Sequence, residues 1–112
     1  MKDDKLYLVH IMECIQQIES YTVGGREAFV RSRMIQDAVL RNFEVMGEPT
    51  KRVSLSLRNS YPDVRWKDVA GLRDVLIHDY EGVDLDEVWN IVQIEMPTLK
   101  RQVTEILSDM DT

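Results

Sequence analysis

Apolar residues recur along this chain at the spacing of an α-helix. Within residues 3–21, four aliphatic side chains follow one another at intervals of three or four: Leu8, Ile11, Ile15 and Ile18. Those intervals place them on one face of a helix, so we predict an amphipathic helix here with this face in the core. Asp3 or Asp4 is expected to cap or favour its start. The sequence TVGG at 22–25 should end it.

A second helix is predicted from about Glu27 to the middle fifties. Pro49 falls inside that span and has no N–H, so we expect it to kink or divide the helix. The expected buried positions of this helix are Phe29, Met34, Ala38, Val39, Phe43 and Met46.

The middle of the chain contains a turn followed by more helix. The sequence NSYPD at 59–63 is typical of a turn, and Pro62 suits the first position of the next helix. Residues 64–78 are predicted to form one helix or two abutting helices, in which Gly71 would allow a neighbour to approach closely. Gly82 should end this region.

Two further helical stretches complete the pattern. Asp84 is a plausible N-cap for residues 85–95, and Pro97 is expected to open a final helix. Trp66 and Trp89 are expected to be core or interface anchors rather than platforms for stacked bases. Apolar and polar residues do not alternate with a period of two, as they would in a strand. We therefore predict an all-α bundle of four or five helices in up-and-down order. The inward positions of the final helix are predicted to be Leu99, Val103, Ile106 and Leu107.

Composition limits the class of protein. The chain has 112 residues, enough for one domain, which we expect to span residues 1–112. No apolar run approaches the roughly 20 residues that cross a bilayer, and we see no export signal at the start. A single cysteine, Cys14, excludes an intramolecular disulfide and fits a reducing cytoplasm. We expect Cys14 to fill space in the core.

Charge is unevenly distributed. The formal net charge is −6, which argues against indiscriminate binding of nucleic acid. However, residues 51–73 contain six basic side chains against two acidic ones, while residues 74–95 contain seven acidic side chains and no Lys or Arg. A basic face on an acidic protein is therefore compatible with the sequence, as is a solvated charge pattern without function.

The sequence RDVLIHDY at 73–80 lies where the sign of the charge changes. RNA carries its own nucleophile, the 2′-hydroxyl, so its cleavage needs a proton-transfer group and a cation at the phosphate. His78 can do the first and Arg73 the second, without a metal ion. On a regular helix these two side chains would point about 140° apart, so they would converge only if the helix is distorted or a second copy contributes. Asp74 shares a helix face with His78 and could hold its tautomer.

The stretch at 66–92, WKDVAGLRDVLIHDYEGVDLDEVWNIV, resembles the diagnostic region of the HepT family within the HEPN superfamily. The family pattern R-x4-H-x-Y matches Arg73, His78 and Tyr80, and Asp74 matches the polar residue that follows the arginine. The sequence QDAVLRNFEVMGE at 36–48 is similar to the second-helix signature of the family. Pro49 departs from the pattern, because a helix former is expected there.

The resemblance implies a toxin ribonuclease from a prokaryotic two-gene module. HepT-like proteins are helical homodimers in which motifs from both subunits line one cleft, and they cleave RNA without metal or other cofactor. Their partner, the MntA-type nucleotidyltransferase antitoxin, transfers AMP from ATP to the motif tyrosine. By this resemblance Arg73 and His78 are catalytic, Asp74 is supporting, and Tyr80 is the modified residue. Given the basic segment, Arg58, Arg65 and Lys67 are the expected contacts to the RNA backbone.

Two other functions stay open. The same fold could be a non-catalytic module that holds a nucleotide phosphate for a nucleotidyltransferase, which the net charge favours, whereas the intact motif favours the enzyme. The other is a purely structural role, in which the chain forms a dimer and the polar side chains of the motif form a buried hydrogen-bond network. His10, the other histidine, is expected to face solvent or a partner rather than a metal ion. The RNA target is not identified by the sequence.

Overall fold

The computed structural model describes residues 2–72, 74 and 82–111, without the side chain of Lys2. Within these residues the chain forms helices joined by turns and no strand, which confirms the all-α prediction. The homodimer stays a prediction. The helices are α1 (Lys2–Tyr21), α2 (Gly25–Arg31), α3 (Arg33–Arg52), α4 (Leu55–Ser60), α5 (Trp66–Ala70), α6 (Leu85–Asn90), a π-helical turn (Ile91–Glu95) and α7 (Met96–Met110).

The core forms where α1 packs against α3 and α7. All four aliphatic positions predicted for the inner face of α1 are buried, and so are Phe29, Val39, Phe43 and Met46. Met34 is 78% exposed, so its predicted burial is wrong, and Ala38 is only half-buried. The reason for the exposure of Met34 is that it lies in the first turn of a new helix, outside the stripe that faces α1.

The predicted second helix is two helices, because Ser32 interrupts it. The backbone of Ser32 is extended (φ −116°, ψ 109°), and its hydroxyl accepts a hydrogen bond from the Ile35 N–H at 3.2 Å. A serine that satisfies an otherwise unpaired N–H in this way starts a helix at the next residue. Apolar spacing continues across the interruption, which is why periodicity alone predicted one helix.

Pro49 does not divide α3, which continues to Arg52. The predicted division is therefore wrong. This end of α3 is buried, and the hydroxyl of Thr50 donates to the Met46 carbonyl at 2.7 Å. Tertiary packing here outweighs the intrinsic cost of a proline in a helix.

Gly47, rather than Gly71, is where two helices approach closely. A Cβ added to Gly47 would lie 3.0 Å from the Ala70 carbonyl oxygen, at the end of α5. Among the described residues, a Cβ on Gly71 would meet only the Lys67 carbonyl oxygen, at an ordinary 3.5 Å. The close approach therefore belongs to α3 and α5, with the glycine on α3.

A turn precedes α5, but Pro62 does not start that helix. The Val64 N–H donates to the Tyr61 carbonyl at 3.2 Å, which closes a four-residue turn with Pro62 in its second position. Proline favours that position because its fixed φ suits the turn. The helix begins four residues later, at Trp66, whose indole N–H donates to the same Tyr61 carbonyl at 3.1 Å.

Residues Leu85 to Met110 are helical throughout, and Pro97 lies in the first turn of the final helix, α7, as predicted. Asp84 is the N-cap as predicted, accepting from the Glu87 N–H at 3.1 Å. The π-helical turn separates α6 from α7, and there the Met96 N–H donates to the Ile91 carbonyl, five residues back. A π turn interrupts the regular ladder of hydrogen bonds just before Pro97, which cannot contribute to that ladder.

Both tryptophans contact the core, as predicted. Trp66 is buried, and the ring of Trp89 lies 5.4 Å from that of Phe29. Asp4 does not simply cap α1: its buried carboxylate accepts hydrogen bonds from the Ser54 N–H at 2.8 Å and the Ser54 hydroxyl at 2.6 Å. Asp4 thus ties the start of α1 to the start of α4. None of the described helices combines the length and the apolar character needed to cross a membrane.

Candidate active site

The motif at residues 73–80 follows α5 in the sequence, and the structure describes one of its residues, Asp74. Asp74 is helical and exposed. Arg73, His78 and Tyr80 lie outside the described residues, so their roles stay predictions.

Asp74 lines a small cavity of about 200 Å³ between α3 and the region after α5. Two carboxylates of α3, Glu44 and Glu48, and the ammonium of Lys51 line the same cavity. In general, a carboxylate can orient an imidazole or accept a proton from it, and the ammonium of a lysine such as Lys51 can attract a phosphate. Sequence reasoning missed these three residues. The available signal was the similarity of residues 36–48 to the family's second-helix signature.

A second cavity, which we call the α5–π crevice, ends at Leu72, the residue before Arg73. It has a volume of about 300 Å³. Its floor is apolar and its rim is polar, which is the usual make-up of a site for a small organic group. The floor residues are Val69, Leu72, Ile91, Met96 and Leu99, and the rim residues are Arg65, Asp68, Glu87, Asn90 and Glu95.

Arg65 lies between two carboxylates on the rim of this crevice. Its Nε is 3.7 Å from Asp68 Oδ2, and its Nη1 is 4.0 Å from Glu95 Oε1. These are long, exposed ion pairs and contribute little to stability. Because the Arg65 guanidinium is paired with these two carboxylates, it offers little net positive charge to an RNA phosphate.

The guanidinium of Arg58 donates hydrogen bonds to carbonyl groups at the C-terminal end of α3. Its Nη2 donates to the carbonyls of Thr50 at 2.8 Å and Lys51 at 2.9 Å, and its Nε donates to the Val53 carbonyl at 3.2 Å. Carbonyls at a helix C-terminus have no partner within the helix and carry partial negative charge, so an arginine there stabilises the helix end.

Arg58, Arg65 and Lys67 were the three predicted contacts to RNA. Of these, Lys67 is exposed and forms no ion pair with another described residue. It lies in α5, six residues before Arg73 in sequence. Of the three candidates, its ammonium is the most available to a phosphate.

The remaining candidates for chemistry are in α1. His10 is exposed, as predicted, beside a groove of about 420 Å³ between α1 and α3. Within the described part of the chain, no three His, Cys, Asp or Glu side chains are placed to hold a metal ion. Cys14 is buried, which confirms its place in the core. Burial is the main reason that its thiol pKa is raised, and the charge of Glu13 adds to the effect.

Comparisons with known proteins agree on one family. The family described as "Ribonuclease HepT-like" matches residues 11–106. A Methanocaldococcus jannaschii protein named "Gamma-glutamylcyclotransferase and putative RNase" is 41% identical over 98% of this chain, which spans 50% of that protein. A "Putative RNase" of Caldanaerobacter subterraneus subsp. tengcongensis is 39% identical over 96% of both chains.

A third relative, "Probable ribonuclease HepT" of Thermococcus cleftensis, is 36% identical over 88% of this chain and 91% of its own length. No solved structure matches the chain significantly.

Proposed function

This chain belongs to the HepT-like ribonuclease family, and from that premise we propose that it is an endoribonuclease toxin of a HepT/MntA-type module. The proposal rests on the family match over residues 11–106, because that range contains the complete R-x4-H-x-Y motif at 73–80. Relatives named as ribonucleases over nearly the whole chain support the same reaction class.

The proposed reaction is cleavage of RNA through its own 2′-hydroxyl. His78 takes the proton from the 2′-hydroxyl as that oxygen bonds to phosphorus, and gives a proton to the 5′-oxygen as the bond between phosphorus and that oxygen breaks. Arg73 presents its two parallel N–H donors to the phosphate oxygens as charge builds there. Asp74 supports His78 by holding its tautomer. Neither step requires a metal ion or another cofactor in this chain.

The proposed active form is a homodimer. Arg73 and His78 are five residues apart and would diverge on a regular helix. A cleft lined by the motifs of two subunits would supply both groups to one phosphate. Sedimentation should then give twice the mass of the 13.1 kDa chain.

A cleavage assay on unmodified protein in the presence of EDTA tests the activity. We expect wild type to cut RNA and His78→Ala to be inactive while keeping its helical content. His10→Ala is the matched control, because it removes the other histidine, an exposed one on α1, and should cut like wild type. If no variant cuts RNA although all are folded, the chain is better explained as the nucleotide-binding partner of a nucleotidyltransferase.

Regulation is proposed to act through Tyr80. An MntA-type partner would catalyse attack of the Tyr80 hydroxyl on the α-phosphorus of ATP, with pyrophosphate as the leaving group. The resulting AMP group would add bulk and negative charge beside the place where the RNA phosphate must bind.

Tyr80→Phe should therefore cut RNA as fast as wild type but keep its activity after incubation with the partner and ATP. The measurement is residual cleavage together with the mass of the intact chain. An equal loss of activity in Tyr80→Phe and wild type would contradict the role of Tyr80.

A further inference from the structure

The α5–π crevice has the size and lining of a site for one ring system. Its volume of about 300 Å³ is at the lower end of the range for small-molecule sites. Val69, Ile91 and Leu99 form apolar walls that are themselves buried in the core. A flat heterocycle gains free energy by burying its apolar faces against such walls, whereas a charged phosphate does not.

The π-helical turn places a polar side chain at the mouth of this crevice. Asn90 is the last residue before the turn; it is exposed, and it forms no hydrogen bond with another described residue. The next two residues, Ile91 and Val92, are buried. Single π turns within longer helices occur frequently at functional sites, because they change the direction of neighbouring side chains.

The charge of the rim selects the kind of occupant. Among the described residues of the rim, one cation, Arg65, stands against three carboxylates, those of Asp68, Glu87 and Glu95. Arg65 is already paired with two of them, Asp68 and Glu95. The rim therefore repels phosphate and offers acceptors to N–H groups, as carboxylates do for the amino groups of bases. Glu87 is exposed and has no ion pair with another described residue, so among the described carboxylates of the rim it is the one left to accept from a ligand.

We propose that the α5–π crevice binds one nucleobase of the RNA substrate and prefers guanine. This inference deepens the proposed function and rests on it for the identity of the substrate. Guanine presents its N1–H and its amino N–H side by side, so both can donate to the Glu87 carboxylate, while Asn90 bonds another edge atom. Uracil presents one N–H between two carbonyl oxygens, and those oxygens face a negatively charged rim.

The position of the crevice suits this role. Leu72 forms part of its wall and directly precedes Arg73 in the sequence. A base in the crevice would hold the RNA close to the residue proposed to bind the scissile phosphate. Cleavage should therefore occur beside a guanine more often than beside other bases.

Binding is tested separately from cleavage by methyl NMR on the full chain with free nucleosides. Guanosine should shift the methyl signals of Ile91 and Leu99 more than uridine does, in wild type and in His78→Ala. Glu87→Gln and Asn90→Ala should reduce the shift. Glu105→Gln is the matched control, because it removes the same charge from an exposed position on α7 outside the crevice.

Mapping of cleavage sites on a mixed-sequence RNA gives the second readout. Wild type should cut beside guanine about tenfold more often than beside uracil, and Glu87→Gln should lose most of that preference while still cutting.

The outcomes separate the two proposals. Guanosine-specific shifts without any RNA cleavage would support the crevice and overturn the ribonuclease. An absence of shifts at Ile91 and Leu99 with every nucleoside would overturn the crevice even if RNA is cut. Equal shifts with guanosine and uridine would also overturn it. So would shifts of these methyl groups that follow protein concentration alone, because a second copy would then occupy the crevice.

Discussion

Arg58 and Lys67 show how the same charge is used differently at two positions of the basic segment. The guanidinium of Arg58 holds three carbonyls at the end of α3, whereas Lys67 is exposed on α5. The sequence located the basic segment but could not assign these uses, because a helix-capping arginine and an RNA-binding arginine look alike in a charge pattern.

Arg58→Ala should lower the free energy of unfolding by about 1–2 kcal/mol, because helix-end carbonyls lose their donors. Lys67→Ala should change it by less than about 0.5 kcal/mol. If Lys67 contacts phosphate, its removal should also reduce the salt dependence of RNA affinity by about 0.7 in the slope of log K against log salt. Urea denaturation and RNA-binding titrations at several salt concentrations measure these quantities. The assignment would be reversed if Lys67→Ala lost stability and Arg58→Ala lost only RNA affinity.

Tyr61 gives a prediction that depends on pH. Its hydroxyl donates to Asp109 Oδ2 at 2.8 Å, and this hydrogen bond is the main reason that the Tyr61 pKa is raised above its ordinary value of 10.0. The folded state therefore holds the phenolic proton more tightly than the unfolded state does. The resulting stabilisation is complete below pH 10 and is lost as the pH rises through the folded pKa.

Asp109→Asn should lower the pKa of Tyr61, since it removes the charged acceptor. Glu105→Gln should lower it less, because Glu105 acts only through its charge and contributes least. NMR titration of ring-labelled tyrosine measures both changes. A Tyr61 pKa that is the same in Asp109→Asn and wild type would mean that this hydrogen bond does not hold the proton.

Among the elements, the buried faces were more predictable than the breaks. The inner face of α1 and the inward positions Leu99, Val103 and Ile106 follow from apolar spacing, and the cap at Asp84 follows from the residue type; all are confirmed. The breaks depend on local hydrogen bonds instead. Ser32 starts a helix within a continuous apolar pattern, and Pro62 sits in a turn rather than at a helix start.

The π turn before Pro97 is the third such case. Proline in a helical pattern normally indicates a boundary, and Pro97 does lie in the first turn of α7, as predicted. The sequence did not predict the π turn that joins α6 to α7, in which the Met96 N–H donates to the Ile91 carbonyl five residues back. No residue type specifies a π turn by itself, so the sequence could not have revealed this one.

Gly47 tests the contact between α3 and α5. Alanine favours a helix interior over glycine by about 0.5–1 kcal/mol, but its Cβ would press on the backbone oxygen of Ala70. Overpacking typically costs about 1–3 kcal/mol, so we expect Gly47→Ala to lose about 1 kcal/mol. Gly71→Ala is the control, and it should change stability by no more than about 0.5 kcal/mol because its Cβ meets only ordinary contact. In thermal denaturation, a Gly47→Ala protein at least as stable as Gly71→Ala would show that α5 can move aside without cost.

At the scale of the whole molecule, family membership and helical class were predictable from the sequence, and the family match confirms the former. Arg73, His78 and Tyr80 were predicted from the resemblance of residues 66–92 to the family pattern, and their roles stay predictions. The cavity that joins Asp74 to Glu44, Glu48 and Lys51 was not found, because it brings together residues about 25 positions apart in the chain. Contacts of that kind depend on how α3 packs against α5, and the sequence pattern of either helix alone does not contain them.

The most direct test of the proposed chemistry is mass spectrometry of the RNA ends made by the unmodified protein in EDTA. Attack by the 2′-hydroxyl predicts a 2′,3′-cyclic phosphate on one product and a 5′-hydroxyl on the other. Intact RNA, or products with a 5′-phosphate made by attacking water, would contradict the proposal that His78 and Arg73 cleave RNA through its own hydroxyl.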